Sequence, residues 1–262
     1  MIARPLREQQ PHLAKLYGFD DNSYMKCWMA IALMGCGHIG FDRIYGDGND
    51  GVVDDVPGGA GWTLVQTRGV EGSSLTVDRV GPKHLIIVAV QLDNDGLVTS
   101  IADSSNCNSY VSIAAAHATC GGAGSELQMF YAKDSCAGAD AISLAGTDAV
   151  RAVVAWEVSG IRTDDPLDTA NALQDEPAST TPVGPSITTS TDGEFVVSVA
   201  IADNEITRIH AGNAFTNDQL TFGNGWAHRT DPMARAGVDR AQWDQPQIGP
   251  YCASAAAFKL AP

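Results

Sequence analysis

The stretch MAIALMGCGHIG (Met29–Gly40) carries an apolar run into Gly35-x-Gly37-x-x-Gly40, the spacing with which a strand-to-helix turn cradles a dinucleotide pyrophosphate. That chemistry requires a helix to begin at the turn, because its N-terminal amides hold the phosphate charge. The residues that follow, FDRIYGDGNDG (Phe41–Gly51), string glycines and aspartates together and cannot sustain a helix of several turns. An acid about twenty positions on, Asp54 or Asp55, should close a second apolar strand, and Val52-Val53 is too short to be one. The glycines are therefore read as packing and turn positions, and no nucleotide cofactor is expected. Leu33-Met-Gly-Cys36 also resembles a lipobox, but the residues before it are mixed and polar where a signal peptide needs a charged start and a long apolar run.

The acidic turn beyond those glycines offers the better set of hard oxygen ligands, Asp93-Asn-Asp95 being an ordinary hairpin turn signal. Asp47, Asn49, Asp50, Asp54 and Asp55 surround Gly48 and Gly51, yet D-x-N-D-G is one residue short of the calcium-loop pattern D-x-N-x-D-G. A solvated acidic turn is the reading taken, with calcium the sole cofactor these residues could hold. Six cysteines, Cys27, Cys36, Cys107, Cys120, Cys136 and Cys252, form no C-x-x-C pair, and Cys36-x-His38 and His117-x-x-Cys120 match no zinc module. Cys107 and Cys120 flank the strand candidate Tyr110–Ala116 and could close a loop there, although connectivity does not follow from spacing. No nucleophile elbow, zinc-protease or P-loop motif is present. Glu157, in VVAWEVSG, is the one acid set in a strongly apolar strand, and it is read as an exposed member of an alternating face rather than half of a glycosidase pair. No catalytic residue is assigned, and the chain is read as non-enzymatic.

These residues sit in a chain whose composition limits what they can serve. Thirty-one acidic against 16 basic side chains give a formal charge of −15, which repels phosphate backbones and anionic lipid headgroups. Nucleic acid and membrane surfaces are therefore excluded as partners, and no apolar run approaches the length of a membrane span. Apolar residues at 44% suffice for a real core, while 27 glycines and 12 prolines favour strands joined by turns.

The texture of the chain changes near residue 60. Residues 1–60 lack the apolar periodicity of an independent core and read as an extended N-terminal arm. Residues 61–262 carry strand runs at Leu85–Val90, Leu127–Ala132, Val150–Val158, Phe195–Ile201 and Ala253–Leu260, separated by clusters such as Asp93-Asn-Asp-Gly96. They predict an all-β, antiparallel two-sheet sandwich. Leu173–Ile187, rich in Pro, Ser and Thr, is read as a long surface connection. HLIIVAVQLDND (from His84) and EFVVSVAIADNE (from Glu194) echo one another, as though each sheet carried an equivalent strand and turn.

The order HLIIVAV, VTSIADSSNCNSY, LQMFYAKDSCAGADAISL, VVAWEVSGI with DDPLD, EFVVSVAIAD and a terminal AAAFK resembles a set of bacterial and bacteriophage β-sandwich proteins of uncharacterised role, over about residues 62–262. Asn106-Cys-Asn-Ser-Tyr110 departs from that family's Gly-Asn-Thr-Tyr by introducing a cysteine. The resemblance implies a jelly-roll-like, lectin-like sandwich and carries no catalytic signature. A glycine-rich arm without its own core is ordered only when something holds it, and neighbouring subunits of a symmetric assembly are the simplest holder. The expectation is a structural protein of a bacteriophage virion, a capsid decoration or tail-associated subunit whose partners are copies of itself and other virion proteins. The competing class is a carbohydrate-binding module at a cell surface or outside the cell. In that reading Trp226, Trp243 and Tyr251 would stack exposed on a glycan.

Overall fold

The computed structural model describes residues 61–262, apart from 94–95, 121–123, 147–148 and 220. The nucleotide-like glycines, Cys27, Cys36 and the calcium candidates Asp47, Asn49, Asp50, Asp54 and Asp55 lie outside the described residues. The described chain is nearly all β. Eight strands carry it: β1 (Thr63–Glu71), β2 (Leu85–Asp93), β3 (Ser125–Ala132), β4 (Val150–Ser159), β5 (Leu167–Ser179), β6 (Phe195–Ala202), β7 (Gly225–Arg229) and β8 (Gly249–Phe258). The five apolar runs of the sequence are β2, β3, β4, β6 and β8.

All pairings are antiparallel, and each half of the chain builds one sheet: the first in the order β1-β4-β2-β3, the second β5-β8-β6-β7. The two orders are the same permutation of four strands, so the sequence echo between β2 and β6 marks a duplicated topology. The duplication reaches the flanking strands. In the first half, Ala141–Gly146 pairs with both Ser74–Thr76 and Val98–Asp103. In the second, the corresponding central strand is split, Val238–Asp239 pairing with Ile187–Thr188 and Trp243–Asp244 with Arg208–Ile209.

These flanking sheets explain why the strands read as continuous apolar runs rather than alternating ones. One face of β2 (Leu85, Ile87, Ala89) meets Phe195, Val197 and Val199 of β6 and Trp226 of β7 in the core between the main sheets. The other face (Ile86, Val88, Val90, Leu92) packs beneath Leu75, Ile142 and Leu144 of the flanking sheet. On the far side, Val196, Ala200, Ala253 and Ala255 are covered by Ile187, Phe215, Ala241 and Trp243. Each fully buried Ile or Val of this kind contributes roughly 1.5–3 kcal/mol. The fold is therefore a two-sheet sandwich with a further thin layer on each outer face.

Three local expectations are corrected. Leu173–Ile187 is not a connection throughout, since β5 runs on to Ser179 along the edge of the second sheet. Three register shifts against β8, a left-handed Asp175 and Pro177 let this poor strand former pair there, because an edge strand needs only one bonded side. Tyr110–Ala116 is extended only at Val111–Ser112, and Ala114–Ala116 forms a single 3-10 turn. Cys107 and Cys120 consequently do not close a loop with each other. Cys107 bonds Cys136 within the first half, at a Cα separation of 6.2 Å, and Cys120 bonds Cys252 of β8 across the main core, at 5.3 Å.

Candidate functional site

Glu157 is buried rather than exposed, because β4 is covered on both faces. Its carboxylate accepts hydrogen bonds from Gln66 Nε2 (2.5 Å) and the Gly81 amide (2.8 Å) and lies 2.5 Å from His84 Nδ1. Burial raises its pKa, but the contacts from His84, Gln66 and Gly81 outweigh that and hold it below the usual range. Gln66 also brackets the Asp78 backbone through both its amide atoms, so this network fastens the covering loop to β1 and β4. Asp103 does the same for the turn after Val98–Asp103. It accepts from Ser105, Asn108 and Tyr110, which more than offset the effect of burial and lower its pKa. These carboxylates are structural fasteners.

The three aromatics expected to stack on a glycan are corrected in the same way. Trp226 and Trp243 are fully buried and Tyr251 nearly so. Trp226 lies in the core between the main sheets with its Nε1 donating to Thr221 O, and Trp243 underpins the outer layer of the second half, donating to Asn217. The glycine- and proline-rich segments around them suggested loops, whereas duplication makes them strands. His117 lies 2.5 Å from Glu126, and the Cys120 sulfur is bonded to Cys252, so those two do not act together on a metal. Among the described residues no group of three or more His, Cys, Asp or Glu is placed to hold a metal ion.

Polar groups come together in concave surfaces of the described residues. One groove holds Asp244 between His210 Nδ1 (2.6 Å) and Arg208 Nε (2.7 Å), and those contacts lower the Asp244 pKa. This is an orienting Asp–His pair, but the Thr207 hydroxyl beside it donates to the Asp244 carbonyl and not to the imidazole.

Another is a cleft of about 570 Å³ where the C-terminal ends of β2 and β6 meet. The duplication places it there: Asp93 and Asp203 close the two echoed strands, and the amide of each donates to the neighbouring chain at 3.2 Å, to Ala149 O and Pro250 O respectively. Inside, a buried polar chain crosses between the halves, with Asn224 Nδ2 donating to Gln91 Oε1 (2.6 Å) and Gln91 Nε2 to Ser125 Oγ (3.2 Å). Arg151 pairs with Asp93, and its guanidinium carbon sits 5.7 Å from the centre of the Phe222 ring. Phe222 is 42% exposed and lies in the left-handed region at φ 57°, followed by Gly223 at φ 69°. A left-handed phenylalanine costs on the order of 1–2 kcal/mol. The turn is held by Ile206 N to Gly223 O (2.7 Å) and by Trp226 Nε1 to Thr221 O (3.1 Å). Glu71, Asp203 and Glu205 line the cleft, exposed, and make no ion pair among the described residues.

None of these cleft residues was singled out as a site from the sequence. The signal in the sequence is the aspartate that follows each echoed strand, but a repeated residue alone does not show that Asp93 and Asp203 line one cleft. No family model, curated protein or solved structure matches this chain.

Proposed function

We propose that the chain is a non-enzymatic structural protein of an assembly, most concretely a bacteriophage virion, in which residues 1–60 make the subunit contacts and the sandwich of residues 61–262 is displayed. The observation that carries this reading is the sandwich's construction. It is sealed on both outer faces by its own flanking layers and cross-linked by Cys107–Cys136 and Cys120–Cys252. Disulfides persist on virions, at cell surfaces and outside cells, and are rare in a reducing cytosol. The exposed large apolar side chains, among them Val65, Val111, Met233 and Ile248, come from separate segments of the chain. The long edge strand β5 is blunted by its bulges, Pro177, Asp175 and Glu176. Both features leave the arm as the natural place for subunit contacts. The resemblance to bacteriophage sandwich proteins points the same way.

Light scattering of the full chain and of a chain lacking residues 1–58 tests it. The full chain is expected to associate, and the shortened one to remain a folded monomer. An unchanged oligomer after deletion would overturn the assignment of the contacts to the arm. The carbohydrate-binding alternative loses its original basis, since its three aromatics are in the interior.

A further inference from the structure

We propose that the cleft at the shared end of β2 and β6 binds an organic cation: an ammonium or guanidinium group on an apolar stem, as in a polyamine or a basic side chain of a partner protein. Among the described residues the charge of the cleft is unbalanced, with Glu71, Asp93, Asp203 and Glu205 lining it together with one cation, Arg151. Arg151 shows what the site can hold. Its guanidinium is paired with Asp93 and lies over Phe222, so a carboxylate and an aromatic face already receive one such group here. The remaining three carboxylates make no ion pair among the described residues, and much of the Phe222 ring is exposed beside them.

A second observation comes from the lining. Asn224 is 2% exposed, and while its Nδ2 is committed to Gln91, its Oδ1 accepts no hydrogen bond among the described residues. Asn224 lines the cleft, and an amide oxygen with free acceptor capacity on its wall suits a ligand that brings N–H donors and no acceptor. The volume, about 570 Å³, fits a small organic molecule rather than a bare ion, and no metal-binding group of side chains is present among the described residues. Anionic ligands are opposed by the excess of carboxylates.

The site is independent of the assembly role, so its test uses the full chain whatever its oligomeric state. Isothermal titration is performed with spermidine, with N-acetyl-arginine amide, and with N-acetylglucosamine as a neutral polyhydroxylated control. Spermidine preferred over the arginine amide identifies a free polyamine, and the reverse a basic side chain. Either cation is expected to bind at low salt and to weaken at least threefold between about 0.05 and 0.3 M salt, as screening shortens the reach of the carboxylates. Asp203→Asn with Glu205→Gln should weaken cation binding about tenfold or more, and Phe222→Gly, which keeps a residue suited to the left-handed backbone, at least threefold.

Asp134→Asn with Asp164→Asn removes the same charge beyond the other ends of β3 and β4 and should leave binding unchanged. Absence of binding by both cations overturns the proposal. So does equal loss from the two pairs of charge variants, which would reduce the effect to attraction by an acidic chain. Binding of the neutral sugar in preference to either cation would assign the cleft to a glycan instead.

Discussion

Removing the Cys120–Cys252 disulfide by replacing both residues with alanine should destabilise the sandwich more than removing Cys107–Cys136 in the same way. The first bond spans 132 residues and joins the edge of the first sheet to β8 of the second. The second spans 29 residues within the first half. In the chain-entropy model a cross-link over 132 residues restrains the unfolded chain by about 5 kcal/mol and one over 29 residues by about 3.5 kcal/mol, and both are upper values. Packing widens the difference. Cys120 and Cys252 are buried in the main core and leave small voids when truncated, whereas Cys107 is exposed. At roughly 2–4 °C per kcal/mol for a domain of this size, the losses in Tm are on the order of 10–20 °C and 7–14 °C. Urea unfolding at mildly acidic pH, where few thiolates are present to reshuffle the remaining bonds, gives both free energies on one scale. The reasoning is refuted if the Cys107/Cys136 variant loses as much stability as the Cys120/Cys252 variant or more, since both loop length and burial would then have failed to set the order.

Trp226→Ala should cost about 3–5 kcal/mol in the same urea experiment, because the ring is fully buried between the main sheets; a loss below about 1 kcal/mol would mean that the ring is not core. Glu194 gives a pH signature of its own. Burial raises its carboxyl, and Asp168 nearby adds to the rise, although hydrogen bonds from Thr191 oppose it. The folded pKa lies above the unfolded value of about 4.3, so the contribution of this group to stability is complete below that value and is lost as pH rises through the folded pKa. Glu194→Gln cannot ionise, so relative to the unmodified chain it should gain stability as pH rises through that window. Urea midpoints of both chains between pH 4 and 8 measure the gap, and a gap independent of pH would show that folding does not raise the Glu194 pKa.

The strands of this protein are legible in its sequence because the pleat makes them so. Leu85–Val90, Val150–Val158 and Phe195–Ile201 are β-branched apolar runs bounded by turn residues, and local propensity and burial agree along each of them. The weak echo between the two runs marks a real equivalence of strands, since β2 and β6 hold the same place in the order of their sheets. What the residues could not show is which faces are covered. A continuous apolar run states that both faces are buried without naming the covering layer, and for that reason Glu157 read as exposed while it lies beneath a loop held by Gln66, Gly81 and His84. Trp226 and Trp243 were misplaced for the related reason that glycine and proline next to an aromatic ring look the same in a loop and in a short strand. Cysteine pairing and the cleft itself belong to tertiary structure altogether. Cys120 and Cys252 are far apart in the chain, as are Gln91 and Asn224, and they meet only because two copies of one strand order stack face to face. Local sequence fixes backbone conformation through sterics and side-chain pattern, whereas the convergence of Asp93, Arg151, Asp203 and Phe222 depends on long-range packing that no single segment encodes.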